Sequence, residues 1–305
     1  MRKDDIDKIL KKIYIPVSDS HKGQNGKLLI IGGSHLFHAA SLWALKVASR
    51  IVDLVHYSSV FENNKIVQDL KEEFRDGIVV PRPEIENYIE EDDCILIGPG
   101  MVRVEQESRI KNQESRIKNI KDIEEIKDEG VQTYFLTKYL LQKYAKKKWV
   151  IDAGALQMME PAWIPSGAIL SPHKGEFERL KLKTPSYAKA SAGKQNLSLE
   201  EQVQWFAKEY NCVVLHKGEV DIVSDGNKTI EVKGGNQGMT KGGTGDVLAG
   251  LTAAFYTKND ALLAASAASY INKKAGDDLR KIMGLWFNAS DLADQIPRTM
   301  KKLLL

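Results

Sequence analysis

Residues Gly234-Gly235-Asn236-Gln237-Gly238-Met239-Thr240-Lys241-Gly242-Gly243-Thr244-Gly245-Asp246 place six glycines in twelve positions and end on a carboxylate. Glycine gives up the most backbone entropy on ordering, so such a run is neither strand nor helix interior. An apolar helical pattern follows at once, through Val247, Leu248, Leu251, Ala254 and Phe255. A loop without side chains therefore feeds a helix N-terminus, where unpaired N–H groups and the helix dipole suit a phosphate or a developing oxyanion. Asp246 stands at that junction. Asp is a good N-cap, but capping does not call for Gly242, Gly243 and Gly245 just before it. An anion loop beside a carboxylate suits group transfer, with the carboxylate as base. The spacing matches neither the P-loop nor the dinucleotide fingerprint.

The elements that must hold this loop recur along the chain. Lys27-Leu28-Leu29-Ile30-Ile31 runs into Gly32-Gly33-Ser34, a helix follows over about 39–52, and Asp53-Leu54-Val55-His56-Tyr57 reads as the next strand. That order is the βαβ unit of a parallel sheet. Further short apolar runs end in Gly98-Pro99-Gly100, Asp152-Ala153-Gly154, Ser171-Pro172-His173-Lys174-Gly175-Glu176 and His216-Lys217-Gly218. In open parallel sheets, ligands bind beyond the carboxyl ends of the strands. The pattern predicts a doubly wound α/β fold with a polar crevice. Helices are expected over about 246–257, 260–275 and 286–296, followed by a Lys-Lys-Leu-Leu-Leu tail that docks on a neighbour or frays.

With 305 residues, the chain suits one large α/β domain or two small ones. A net charge of +3, evenly spread, argues against nucleic acid as partner. No apolar run approaches the length of a membrane span, and the charged N-terminus is unlike a signal segment. Cys94 and Cys212 lie far apart in apolar runs and read as buried free thiols, which fits a cytoplasmic location. Gln106–Asn112 is repeated as Gln113–Asn119, and the charged stretch over 103–129 reads as an exposed insertion. Thr184–Ser198, rich in small and polar residues, reads as a loop.

Taken in order, Gly26–Ser34, Ile97–Gly100, Ile151–Leu156, Ser171–Phe177, Leu215–Gly218 and Asn236–Gly250 resemble the ADP-dependent NAD(P)H-hydrate dehydratase family. That family is a branch of the ribokinase-like superfamily. The likeness covers roughly 20–295, apart from the insertions. It implies a ribokinase-like three-layer α/β/α fold with a mostly parallel doubly wound sheet, one domain over 1–305 and an N-terminal extension over 1–20. Many members carry a fused epimerase domain, for which residues 1–20 leave no room. The implied activity is repair of NADH or NADPH hydrated at the nicotinamide ring (the S-epimer of NAD(P)HX). The new hydroxyl is phosphorylated by ADP or ATP with Mg²⁺, and phosphate then leaves. A homo-oligomer is implied, with a tetramer among the options.

The resemblance also assigns residues. Asp246 would be the base and touch the substrate. Ala40, Gly100 and His173 match positions that contact the hydrated nucleotide. Lys217, Gly218, Glu219, Val220 and Asp221, with Asn236, Gly243, Thr244 and Gly245, match those that hold ADP or ATP. Mg²⁺ would be bound through phosphates and water, with Glu176 the one residue that could orient such a water or His173. Two departures stand out: Met101-Val102 where the family has Leu-Gly, and Glu219 with Asp221 where it has Lys-Gly-Ala-x-Thr. Several residues keep two readings. Ala40 could simply pack a helix start, and Glu176 could favour a helix dipole. Asp152 could close a strand-end turn or support the site, and Lys241 could touch phosphate or face solvent. Three other functions compete: a ribokinase-like kinase for a pyrimidine or thiazole alcohol, a nucleotide sensor, and an interaction module acting through 106–119. The Ser171–Glu176 motif beside Gly98-Pro99-Gly100 favours the dehydratase over the kinase, and the Asp246 carboxylate favours an enzyme over a sensor.

Overall fold

A computed structural model describes residues 3–104, 108–111, 116–184 and 197–305. Strands β1 (Lys27–Ile31), β2 (Leu54–Ser58), β3 (Ile78–Val79), β4 (Cys94–Ile97), β5 (Lys148–Ile151), β6 (Ile169–Leu170) and β7 (Val213–His216) are parallel. Strands β8 (Asp221–Ser224) and β9 (Thr229–Val232) return antiparallel as a hairpin. The sheet order is β3-β2-β1-β4-β5-β6-β7-β8-β9. Both faces are covered, which is why the strands read as unbroken apolar runs rather than alternating ones. The pleat still sorts them. Leu28, Ile30, Cys94, Leu96 and Val150 enter one core, while Leu29, Ile31, Ile95, Ile97 and Ile151 enter the other.

The helices in chain order are α1 (Lys3–Leu10), α2 (His38–Ala48), α3 (Phe61–Asp69), α4 (Ile85–Glu91), α5 (Ser108–Lys111), α6 (Ile120–Glu124) and α7 (Glu129–Lys143). They continue with α8 (Ala153–Met158), α9 (Lys174–Leu182), α10 (Leu199–Glu209), α11 (Thr244–Lys258), α12 (Ala261–Met283) and α13 (Ala289–Leu304). Residues of α2, α11, α12 and α13 fill the first core; those of α4, α6, α7, α8, α9 and α10 fill the second. The result is a three-layer α/β/α sandwich. Small residues bring α11 close to α2: a Cβ at Gly250 would lie 2.6 Å from the Ala44 carbonyl oxygen.

The strand order reverses between β1 and β4, and there a crevice opens beyond the strands' carboxyl ends. The turns after β1 and β4 meet, with the Gly33 N–H donating to Pro99 O at 2.7 Å. Gly98-Pro99-Gly100-Met101 closes on itself through Met101 N–H to Gly98 O at 2.9 Å. Gly100 has φ +74°, as a turn with Pro second and Gly third requires.

Three expectations change. The charged stretch over 103–129 is not solvated throughout: Ile110, Ile120, Ile123 and Ile126, interspersed among the charges, are buried in the second core. Residues 105–107 and 112–115 of the repeat, and 185–196 of the expected loop, lie outside the described residues. The final tail continues α13, and Leu303 and Leu304 pack against the core. The β8–β9 hairpin was not anticipated, although Asp225-Gly226-Asn227 between two apolar runs is a turn signal.

Candidate active site

Helix α11 starts behind Gly243, whose φ of +95° is left-handed. A Cβ at Gly243 would run into the Trp43 ring and Ala289. Gly243 is therefore demanded by backbone and packing. A β-branched residue there meets protein before it meets any phosphate. Gly242 and Gly245 differ: neither has positive φ. A Cβ at Gly242 would meet nothing within 4 Å, and one at Gly245 only the Lys217 ammonium at 3.7 Å. The protein's own packing does not require glycine at either position. The first turn of α11 thus keeps an open approach to its backbone N–H groups, the geometry an anion needs.

The neighbouring strand ends supply charge. Lys217, at the end of β7, donates to Asp152 Oδ1 at 2.7 Å, and Ser171 Oγ donates to the same oxygen at 2.8 Å. Asp152 is buried, so its partner is held in place rather than free to wander. Burial works to lower the Lys217 pKa, but Asp152, Glu176 and Asp246 outweigh it and hold the ammonium above its ordinary value. The half-buried Asp246 is pushed up to about 7, first by burial and then by Asp152, with Lys217 pulling the other way. A carboxyl near neutrality is matched to proton transfer at physiological pH.

His173 caps α9, its Nδ1 accepting from Gly175 N–H at 3.0 Å and Glu176 N–H at 3.4 Å. With Nδ1 so used, a neutral ring carries its proton on Nε2, which lies 3.5 Å from Glu176 Oε1. Glu176, 4% exposed, accepts from His173 N–H at 2.9 Å and from Gln157 Nε2 at 2.9 Å. Its carboxylate both completes the cap and orients the histidine. Asp152 likewise resolves towards support, since it anchors Lys217.

A cleft of about 680 Å³ brings His173, Lys217, Gly218, Glu219, Asn236, Thr244 and Gly245 together. The two departing carboxylates behave differently. Glu219 is exposed, whereas Asp221 is buried and accepts from Gly218 N–H (2.9 Å), Ser269 Oγ (2.7 Å) and Lys273 Nζ (3.2 Å). Lys273 also donates to Gly218 O at 2.9 Å and Glu219 O at 3.0 Å, clamping the 217–221 turn. Half-buried Val220 sits within that turn. Asn236 uses its side chain on Gly238 N–H and Gly276 O, and Thr244 Oγ1 donates to Met239 O, so both shape the loop. Lys241 is exposed, as one of its two readings had it, and donates to Leu285 O beside Phe287.

Ala40 and Gly100 meet one turn away: a Cβ on Gly100 would lie 3.1 Å from the Ala40 Cβ and 2.7 Å from Phe37 O. They are not among the residues lining the cleft, but the same turn abuts Asp152, since Gly154 N–H donates to Gly98 O at 3.3 Å. Met101 is buried and keeps this turn closed. Lys273 and Gln157 are the functional neighbours that motif reading missed; neither lies near its partner in sequence.

This architecture is ribokinase-like. The fold alone is also compatible with a kinase, and the family decides further. The family model for NAD(P)H-hydrate dehydratase matches residues 28–298. A bifunctional NAD(P)H-hydrate repair enzyme of Methanocaldococcus jannaschii is 34% identical over 96% of the chain, which spans only 51% of that relative. The ADP-dependent (S)-NAD(P)H-hydrate dehydratase of Nitrosopumilus maritimus is 31% identical, with 96% of this chain and 95% of the relative covered. A crystal structure of the ADP/ATP-dependent NAD(P)H-hydrate dehydratase from Bacillus subtilis, co-crystallized with ATP/Mg²⁺, shares the fold at TM-score 0.69 and 20% identity, covering 97% of each chain. The chain belongs to the NAD(P)H-hydrate dehydratase family. Among the described residues no helix is long and apolar enough to cross a membrane.

Proposed function

We propose that the protein dehydrates the S-epimer of hydrated NADH or NADPH at the expense of ADP or ATP. The observation that carries this reading is Asp246, near-neutral and beside Lys217, behind a helix turn kept open at Gly245. Asp246 takes the proton of the ring hydroxyl as that oxygen attacks the terminal phosphorus. The α11 N–H groups at Gly243–Gly245 and the Lys217 ammonium offset the charge on the moving phosphoryl group. Phosphate then departs from the phosphorylated ring carbon as its neighbour loses a proton, and the new ring double bond restores reduced nicotinamide. His173 touches the substrate from the cleft wall, and the packed Ala40–Gly100 contact borders the ring. A magnesium ion, which Glu176 would hold through water, would add charge neutralisation.

We place the enzyme in the cytoplasm, where its two buried free thiols, Cys94 and Cys212, would stay reduced, and expect it to be a homo-oligomer acting on small molecules. The test is the near-ultraviolet absorbance of reduced nicotinamide when hydrated NADH meets the protein, Mg²⁺, and ADP or ATP. A nucleotide-dependent rise is expected and names the phosphate donor. A flat trace from folded, ADP-binding protein would refute the dehydratase.

A further inference from the structure

Asn272, on α12, lines the cleft yet is only 4% exposed, and its carboxamide oxygen is buried with no hydrogen-bond partner among the described residues. A buried unpaired acceptor costs stability, so a retained one points to a partner that arrives later. Its neighbour Lys273 is fully committed to the 217–221 turn. Leu248 and Met239 add apolar surface to the lining, among the polar Asn236, Gln237 and Thr240. Leu248 lies one turn beyond Gly245 on α11, and Met239 packs against Gly276, one turn beyond Asn272 on α12.

Lys217 and the open backbone at Gly245 give the cleft a cationic part, suited to phosphates. Leu248 and Met239 give it apolar surface, suited to a base, with the Asn272 amide in the same lining.

We propose that Asn272 selects the nucleotide's base, pairing its carboxamide with the amino edge of adenine. The inference rests on the reading that this cleft takes a nucleotide. A carboxamide offers one acceptor beside one donor, which matches adenine's N6 amine beside a ring nitrogen; guanine presents two acceptors on that edge. Asn272 is thus a specificity-determining residue that leaves the chemistry at Asp246 alone.

The experiment is calorimetric titration of the full chain and of Asn272→Ala and Asn272→Leu, the latter preserving side-chain volume. The titrants are ADP, GDP and purine riboside diphosphate, which lacks the amino group, with inorganic tripolyphosphate as the probe of the cationic part. Wild type should favour ADP over both analogues. Each variant should lose about tenfold or more on ADP, keep its tripolyphosphate affinity, and no longer distinguish ADP from GDP. Unchanged ADP affinity in the variants would overturn the proposal, as would equal losses on ADP and tripolyphosphate, or a wild type that binds no ADP. A wild type that binds ADP selectively through Asn272 but never regenerates NADH would leave this inference standing and remove the dehydratase. Turnover with unaltered base selection in both variants would do the reverse.

Discussion

Gly245→Ala separates the needs of the fold from those of the ligand. The added methyl would have only the Lys217 ammonium nearby, at an ordinary contact distance of 3.7 Å, and the backbone there is not left-handed. Inside a helix, alanine is favoured over glycine by about 0.5–1 kcal/mol. The folded protein should gain up to that amount, a rise in Tm of about 1–3 °C for a chain of this size. The same methyl sits where phosphate oxygens must come within hydrogen-bond distance of the first α11 N–H groups. Moving the phosphate by about 1 Å costs on the order of a hundredfold in rate.

Thermal melts with and without ADP, together with the nicotinamide absorbance assay, read both sides. Expected is a variant that melts slightly higher alone, gains less from ADP, and loses about a hundredfold in kcat/KM. Gly243→Ala is the control of opposite sign. Its φ of +95° makes a side chain cost about 1–2 kcal/mol before the collision with Trp43 is counted, so that variant should melt lower. If Gly245→Ala keeps normal ADP affinity and turnover, the open turn of α11 is not the anion site. If it melts several degrees lower, the packing argument fails instead.

Other perturbations test the charges around that turn. Asp246→Asn should cut kcat by about 10²–10⁴ while leaving ADP affinity nearly intact by calorimetry; a near-normal rate would remove Asp246 as base. In wild type, kcat/KM should rise with pH and level off above about 7, because the base form of Asp246 accumulates through that pKa. Lys217→Met removes the attraction that favours the carboxylate and leaves Asp152 and Glu176 facing it, so the acid limb should move to higher pH by about one unit. An unmoved limb would mean that another group titrates. Lys273→Met strands the buried Asp221 carboxylate and should cost about 3–5 kcal/mol in chemical unfolding, whereas loss of an exposed pair would cost less than about 1.

Where a residue's role depends on its immediate sequence neighbours, that role could be read from the chain. Most of the parallel strands announce themselves because burial on both faces makes them largely apolar, and β1, β4 and β5 stop at Gly or Asp where the chain must turn. Asp246 is legible as a candidate base because the glycines and the helix start adjoin it in the chain. The antiparallel hairpin, though marked by a turn, hid behind the ligand motif that overlaps its first strand. Roles set by side-chain direction were not legible. Gly243 and Gly245 differ by two positions, yet one is fixed by Trp43 and the other by an empty approach.

The same applies to the two carboxylates of the 217–221 turn, which in sequence look like equal sources of repulsion towards a polyphosphate. Asp221 faces inward, its charge balanced by Lys273 and tied to Ser269 and the Gly218 N–H. Glu219 is exposed and contributes to the turn only its carbonyl, which Lys273 holds. The departure at 221 is thus matched by a lysine on another helix, and of the two carboxylates Glu219 is the one free to act on a bound nucleotide.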